Sequence, residues 1–311
     1  MATPSPATYC FKTVDGLPIH ADVFLPTSTS THSLPVLLWW HGGGLLMSSR
    51  ATIGPHLRRA AEKYKMAVVS ADYRLAPQAP IPQIMEDVRD AASWVRDKLP
   101  GILGEGVIDP ARLIVGGHSA GGYLALLSAS PKIGITPPPK AVVALYPITN
   151  PRGPFFTTAQ RPVSGIPNDR IIAHEEMARH IDPSAAILSG STPPCFPPPH
   201  GDRGELYLYM VQEALLEKLL FGKAPDAEVE DYIPAKFWSK ASPPTWIYHG
   251  QVDNRVGIEQ SLTLVQAIKD VGAPYVFEEI PRPKAQHLFD HFDPAEELES
   301  MYAFIKQHFD I

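Results

Sequence analysis

Apolar residues in this chain fall into short unbroken runs: Val36 to Trp40, Met66 to Ala71, Leu113 to Gly116, Ala141 to Tyr146, Thr245 to His249 and Tyr275 to Glu279. A run without polar alternation reads as a strand buried on both faces. Between the runs the spacing turns helical. Thr52 to Tyr64 carries Arg58, Arg59, Glu62 and Lys63 outward, and Ile84 to Lys98 lines up Val88, Ala91, Ala92 and Val95 on one side. Gly122 to Ala129, Ile258 to Val271 and an amphipathic Ala295 to Phe309 complete the helices. Tyr9 to Lys12 and Ile19 to Leu25 flank the turn Asp15-Gly16-Leu17-Pro18 and predict an opening hairpin. Strands alternating with helices predict an α/β fold, a mostly parallel eight-stranded sheet with helices on both faces.

The rhythm stops between Pro147 and Ser242. Proline-rich loops open this interval, including Thr192-Pro193-Pro194-Cys195-Phe196-Pro197-Pro198-Pro199. Glu205 to Phe221 predicts one helix that is apolar almost all round, so it is buried or covers something apolar. The expected division is a core of residues 1–146 and 243–311 with an inserted cap, 147–242. The cap would lie over the carboxyl ends of the strands, where open α/β sheets bind ligands.

Composition narrows the function. The 311 residues are 44% hydrophobic, and 27 basic against 33 acidic side chains leave a net charge of −6. No basic run suggests nucleic acid, and no apolar run is long enough to span a membrane. Met1 to Tyr9 has no secretory pattern, and two cysteines make no disulfide framework, so a cytoplasmic setting is expected.

The candidate chemistry centres on Gly117-His118-Ser119-Ala120-Gly121. A strand ends there and a helix follows, the context in which G-x-S-x-G lifts a nucleophilic serine onto a sharp turn. A serine hydroxyl needs a base, and the base needs an orienting acid. Among the later histidines, His174, His180 and His200 lie in the insertion, His249 in a strand-like run and His308 on the last helix. His287 and His291 remain, after the last strand. His287 is the expected base, and His291 is expected at the surface or at a helix start. The turn after Thr245 to His249 offers Asp253 as the acid, although an Asp there also suits a cap for the helix that follows. Asp290 is set aside as too near His287, and Asp270 as mid-helix. Backbone amides of Gly43 and Gly44, in His41-Gly42-Gly43-Gly44, and of Ala120 would stabilise an oxyanion. The His287/His291 spacing is poor support for a metal without a third ligand, so no metal is expected.

Together, His41-Gly42-Gly43-Gly44, Asp72-Tyr73-Arg74-Leu75-Ala76-Pro77, Pro80-Ile81-Pro82, Glu86-Asp87, the Ser119 motif, Asp253 and His287 resemble the hormone-sensitive-lipase-like family of α/β-hydrolases. The resemblance runs from Val36 through His287. It implies carboxylester hydrolysis with a capped pocket and no cofactor. Leu45, Leu46, Met47, His118, Phe155, Phe156, Tyr207 and Met210 are expected to line that pocket, for a small or medium acyl ester. By analogy, the last strand and helix would form a homodimer surface.

Three departures stand out. His118 precedes the serine where many members carry Asp or Thr, the usual N-terminal cap helices have no counterpart before Tyr9, and His200-Gly201-Asp202-Arg203-Gly204 has no assigned role. One alternative keeps the same residues but places them in specialised metabolism, as a hydrolase, lactonase or thioesterase releasing a polyketide-like product. A kynurenine-formamidase-like amidase fits Asp-Tyr-Arg-Leu-Ala-Pro less well. A non-catalytic ligand receptor, as the plant gibberellin receptors are, usually lacks one of the three catalytic residues.

Overall fold

A computed structural model describes residues 5–27, 32–164, 166–191, 198–281 and 286–309. Most of the proline-rich 192–199 stretch lies outside them. Eight strands form one sheet: β1 (Ala7–Val14), β2 (Leu17–Phe24), β3 (Leu34–Trp40), β4 (Ala67–Ala71), β5 (Ile108–His118), β6 (Val142–Leu145), β7 (Thr245–Gly250) and β8 (Tyr275–Ile280). Their order is β1-β2-β4-β3-β5-β6-β7-β8. β2 runs antiparallel to both neighbours, and from β4 to β8 every pairing is parallel. Trp40 pairs with Ala71 on one side and Gly117 on the other, so these strands end at one common edge.

The buried runs behave as two-faced strands should. On β3, Val36, Leu38 and Trp40 enter one core, while Leu37 and Trp39 enter the other. α2 (Ile81–Asp97) covers the first face with Ile84, Val88, Ala91 and Val95. α1 (Pro55–Tyr64) and α8 (Glu299–Phe309) cover the second with Leu57, Ala60, Met301 and Ile305. α3 (Ala120–Leu127) follows β5, and α7 (Glu259–Val271) connects β7 to β8.

Between β6 and β7 the chain forms α4 (His174–Ile181), α5 (Leu206–Glu213), α6 (Leu216–Phe221) and shorter turns. The single helix expected over Glu205 to Phe221 is therefore two. Ala214 adopts a left-handed φ of 55°, and its N–H caps α5 by donating to Met210 and Val211. Alanine tolerates that conformation at roughly 1–2 kcal/mol, and no glycine or proline marks the break. The apolar character still means burial, for Leu206 to Gln212 are all buried.

Candidate functional site

Ser119 sits between β5 and α3 with φ 56° and ψ −122°, a strained conformation for a residue with a side chain. Its amide donates to the Leu145 carbonyl of β6 (2.9 Å), which fixes the turn to the sheet. Gly121 is required here, because a Cβ at that position would run into the Trp40 carbonyl.

Three side chains from three loops meet at this turn. His287 Nδ1 lies 2.7 Å from Asp253 Oδ2, and His287 Nε2 lies 2.9 Å from Ser119 Oγ. An ionised carboxylate only accepts, so Nδ1 carries the proton and Nε2 is free to accept from the serine hydroxyl. Asp253 Oδ1 accepts from the Arg255 and Val256 amides at 2.8 and 2.9 Å, which holds the carboxylate in place. Burial would raise this carboxyl, but His287 and these bonds outweigh it and hold Asp253 below the usual range. His249 packs behind with Nε2–H donating to the Val256 carbonyl (2.8 Å) and Nδ1 accepting from Ser261 (2.7 Å). Burial lowers its pKa and keeps it neutral.

The loop after β3 forms the opposite wall. Gly43 has φ 101°, and a Cβ there would strike the Met47 carbonyl. Among the described residues, the Gly43 and Gly44 amides donate to no protein acceptor, and the Ala120 N–H opens α3, where no intrahelical acceptor exists. Residues 72–78 brace this loop. The Tyr73 hydroxyl donates to the His41 carbonyl (2.8 Å), its ring stacks on His41 at 4.2 Å, and the Ala76 amide donates to Leu45 (2.8 Å). Burial pushes the His41 imidazole down to about 4.

Arg203, from the unassigned 200–204 motif, is a buried strut. Its Nε donates to the Leu46 carbonyl (2.7 Å), and its Nη2 to the Ala76 carbonyl and Gln78 Oε1 (2.8 Å each). Burial lowers its pKa to about 10.

A cavity of about 360 Å³ opens onto Ser119 and His287. Met47, His118 and Tyr207 line it, as do Gly43, Leu208, Leu288 and a polar wall of Ser164, Asn254 and Arg255. Leu45, Leu46, Phe156 and Met210 do not: they are almost fully buried, packed into the core beneath the loop and the helices. Phe155 packs against that core, with its ring on Phe156 at 5.0 Å. Apolar residues near a site in sequence are more often support than lining, and the pattern did not separate the two. Arg255, Asn254 and Ser164 carried no sequence signal, because loops distant in sequence bring them together.

His118 serves the loop as well as the cavity. Its Nε2 faces the Gly42 amide (3.0 Å) and its Nδ1 faces Trp39 Nε1 (3.2 Å). Burial drives its pKa well down, so the ring is neutral and accepts at one nitrogen only.

His291 lies on the short helix Phe289–Phe292, in keeping with one of its two expected placements, but its side chain turns inward rather than to the surface. It packs on His118 at 4.5 Å and pairs through Nδ1 with Asp290 at 3.1 Å. Asp290, fully buried, also accepts from the Tyr146 hydroxyl and faces His56 Nε2 at 3.3 Å. A carboxylate buried beside a neighbouring histidine draws it inward, which hydrophobic periodicity does not register. Burial opposes charge on both, but their mutual attraction wins, raising His291 and holding Asp290 well down. Tyr146 extends this cluster to the site, with its ring 4.5 Å from that of His287. His287 and His291 thus face different partners rather than one shared metal position. Elsewhere Glu176, His200 and Glu205 come close enough together to hold a cation, but Arg170 pairs with both glutamates.

Residues 37–212 match a family described as alpha/beta hydrolase fold, and residues 207–311 match the prolyl oligopeptidase family. The chain is 30% identical to the non-reducing polyketide synthase pkbA of Emericella nidulans, over 96% of this chain and 14% of that protein. It is 29% identical to the 5-methylorsellinic acid synthase of Aspergillus terreus, over 94% of this chain and 13% of that protein. It therefore spans about a seventh of the length of these relatives. Among solved structures, it superposes on a Pyrobaculum calidifontis esterase with a TM-score of 0.66 at 23% identity, covering 98% and 84% of the two chains. For the esterase LipW of Mycobacterium marinum the TM-score is 0.64 at 21% identity, covering 98% and 80%. The chain belongs to the alpha/beta hydrolase fold family, in its hormone-sensitive-lipase-like branch.

Proposed function

We propose that this protein is a serine acyl hydrolase using Ser119, His287 and Asp253. The observation that carries this reading is the unbroken Ser119–His287–Asp253 relay at the floor of a cavity. Ser119 Oγ attacks the acyl carbon while His287 Nε2 takes its proton, and Asp253 stabilises the imidazolium. The amides of Gly43, Gly44 and Ala120 receive the oxyanion, each worth about 3–4 kcal/mol of barrier. The intermediate collapses, His287 returns the proton to the leaving alcohol or thiol, and water then repeats the cycle on the acyl-enzyme. Residues 147–242 act as a cap, contributing Ser164 from a turn and Tyr207 and Leu208 from α5 to the wall.

The cavity lies at the small end of ligand sites, which favours a short acyl chain or a single ring system over a long lipid. The similarity to polyketide synthases supports a narrower reading. The acyl group is of polyketide type and is released from an ester or thioester as a free acid. Turnover of matched aroyl and hexanoyl esters and N-acetylcysteamine thioesters tests this. Faster cleavage of the aroyl thioester is expected, and best turnover on long-chain emulsified lipids would refute the assignment.

A further inference from the structure

Among the described residues, Arg255 is the cationic side chain in the cavity wall, alongside neutral polar groups, apolar residues and the histidines His118 and His287. A guanidinium has five N–H donors. Among the described residues, the Arg255 side chain donates one hydrogen bond, from Nη1 to the Ser164 carbonyl at 2.5 Å. None of the described ion pairs includes Arg255, whereas Arg50, Arg74, Arg152 and Arg170 each meet a carboxylate. Asp253, whose charge acts on Arg255, is committed to His287 and to the amides of Arg255 and Val256. Burial accordingly lowers the Arg255 pKa, with Tyr207 and Asp253 only partly offsetting it.

The position of Arg255 is nonetheless well held. The Tyr207 hydroxyl donates to its backbone carbonyl (2.5 Å), and Asn254 Nδ2 donates to Ser164 Oγ (3.0 Å). A held, partly desolvated cation with spare donors in a cavity wall favours an anionic oxygen group, which it can grip with paired N–H donors.

We propose that Arg255, with Ser164 and Asn254 beside it, forms a subsite for a carboxylate or phosphate carried by the substrate. This deepens the serine-hydrolase reading and rests on it. The anion belongs either to the acyl group, as a carboxylate, or to the leaving group, as the phosphate of a pantetheine-type thiol.

The test compares matched pairs on the purified protein. Mono-4-nitrophenyl adipate against 4-nitrophenyl hexanoate probes the acyl side, and hexanoyl coenzyme A against hexanoyl N-acetylcysteamine probes the leaving side. In at least one pair the anionic member is preferred in kcat/KM. Arg255→Gln lowers that preference roughly ten- to hundredfold, mainly through KM. Arg255→Lys retains part of it. The pair that responds identifies the source of the anion. No preference in either pair, or a preference that Arg255→Gln leaves intact, overturns the subsite. A merely structural Arg255 would lower both members of a pair alike, and that result also overturns it. Failure of the underlying reading looks different: Ser119→Ala would then cleave all four substrates like the wild type.

Discussion

At the scale of single residues, protonation decides the chemistry. Asp253 fixes the proton of His287 on Nδ1, leaving Nε2 able to accept from Ser119. Asp253→Asn presents an amide that can stabilise the opposite tautomer, and kcat on a 4-nitrophenyl ester is expected to fall about 10³–10⁴-fold with the fold retained. Steady-state kinetics alongside circular dichroism measures both, and a loss under tenfold would contradict the assigned role. Behind the site, Asp290 is an ionised carboxylate with His291, His56 and Tyr146 around it. Removing one member of such a buried cluster leaves the others uncompensated, so Asp290→Ala is expected to cost about 3–5 kcal/mol in urea unfolding. A change below about 1 kcal/mol would show that the cluster is not charged. The sequence suggested Ser119, Asp253 and His287 because each follows a recognisable strand. Asp290 was set aside for its nearness to His287, and its burial was not legible because its partners His56 and Tyr146, like the His118 ring on which His291 packs, lie far away along the chain.

At the scale of elements, the loop after β3 is held from two directions. The Asp72 to Pro77 segment braces it on one side, and Arg203 reaches in from the segment between β6 and β7 to bind Leu46, Ala76 and Gln78. Arg203→Met would keep the apolar stem but strand two buried carbonyls and an amide oxygen. At about 1–3 kcal/mol for each unsatisfied group, a loss of roughly 3 kcal/mol or more is expected, with a lowered kcat as the Gly43 and Gly44 amides lose their support. Thermal unfolding and turnover should fall together, and turnover that survives the stability loss would separate Arg203 from the loop. The strands were readable in advance because burial on both faces leaves no polar alternation to confuse them. The break at Ala214 was not, since a left-handed alanine is set by packing rather than by a turn residue. Leu45 and Leu46 were misplaced for a similar reason. A short loop can turn its side chains into the core or into the cavity, and hydrophobicity is equally consistent with either.

At the scale of the molecule, several histidines are buried without charge. Burial lowers the pKa values of His41, to about 4, and of His118 and His249. On unfolding, each regains an ordinary value near 6.5 and binds a proton below it. The unfolded state therefore holds more protons between about pH 6.5 and 4, so stability falls on acidification, by up to ~1.4 kcal/mol per pH unit for each group. His291 works in a different window. Its raised pKa adds stability that is complete below about 6.5 and is lost above it. Urea midpoints should decline from pH 6.5 to 4.5, and a flat or rising profile would mean that these rings are charged in the folded protein. All of the functional claims depend on whether the Ser119 hydroxyl is an activated nucleophile. The most direct measurement is the intact mass of the protein after treatment with a fluorophosphonate. The account predicts a single covalent adduct that disappears in Ser119→Ala, whereas an unmodified wild-type protein, or a variant labelled equally well, would contradict it.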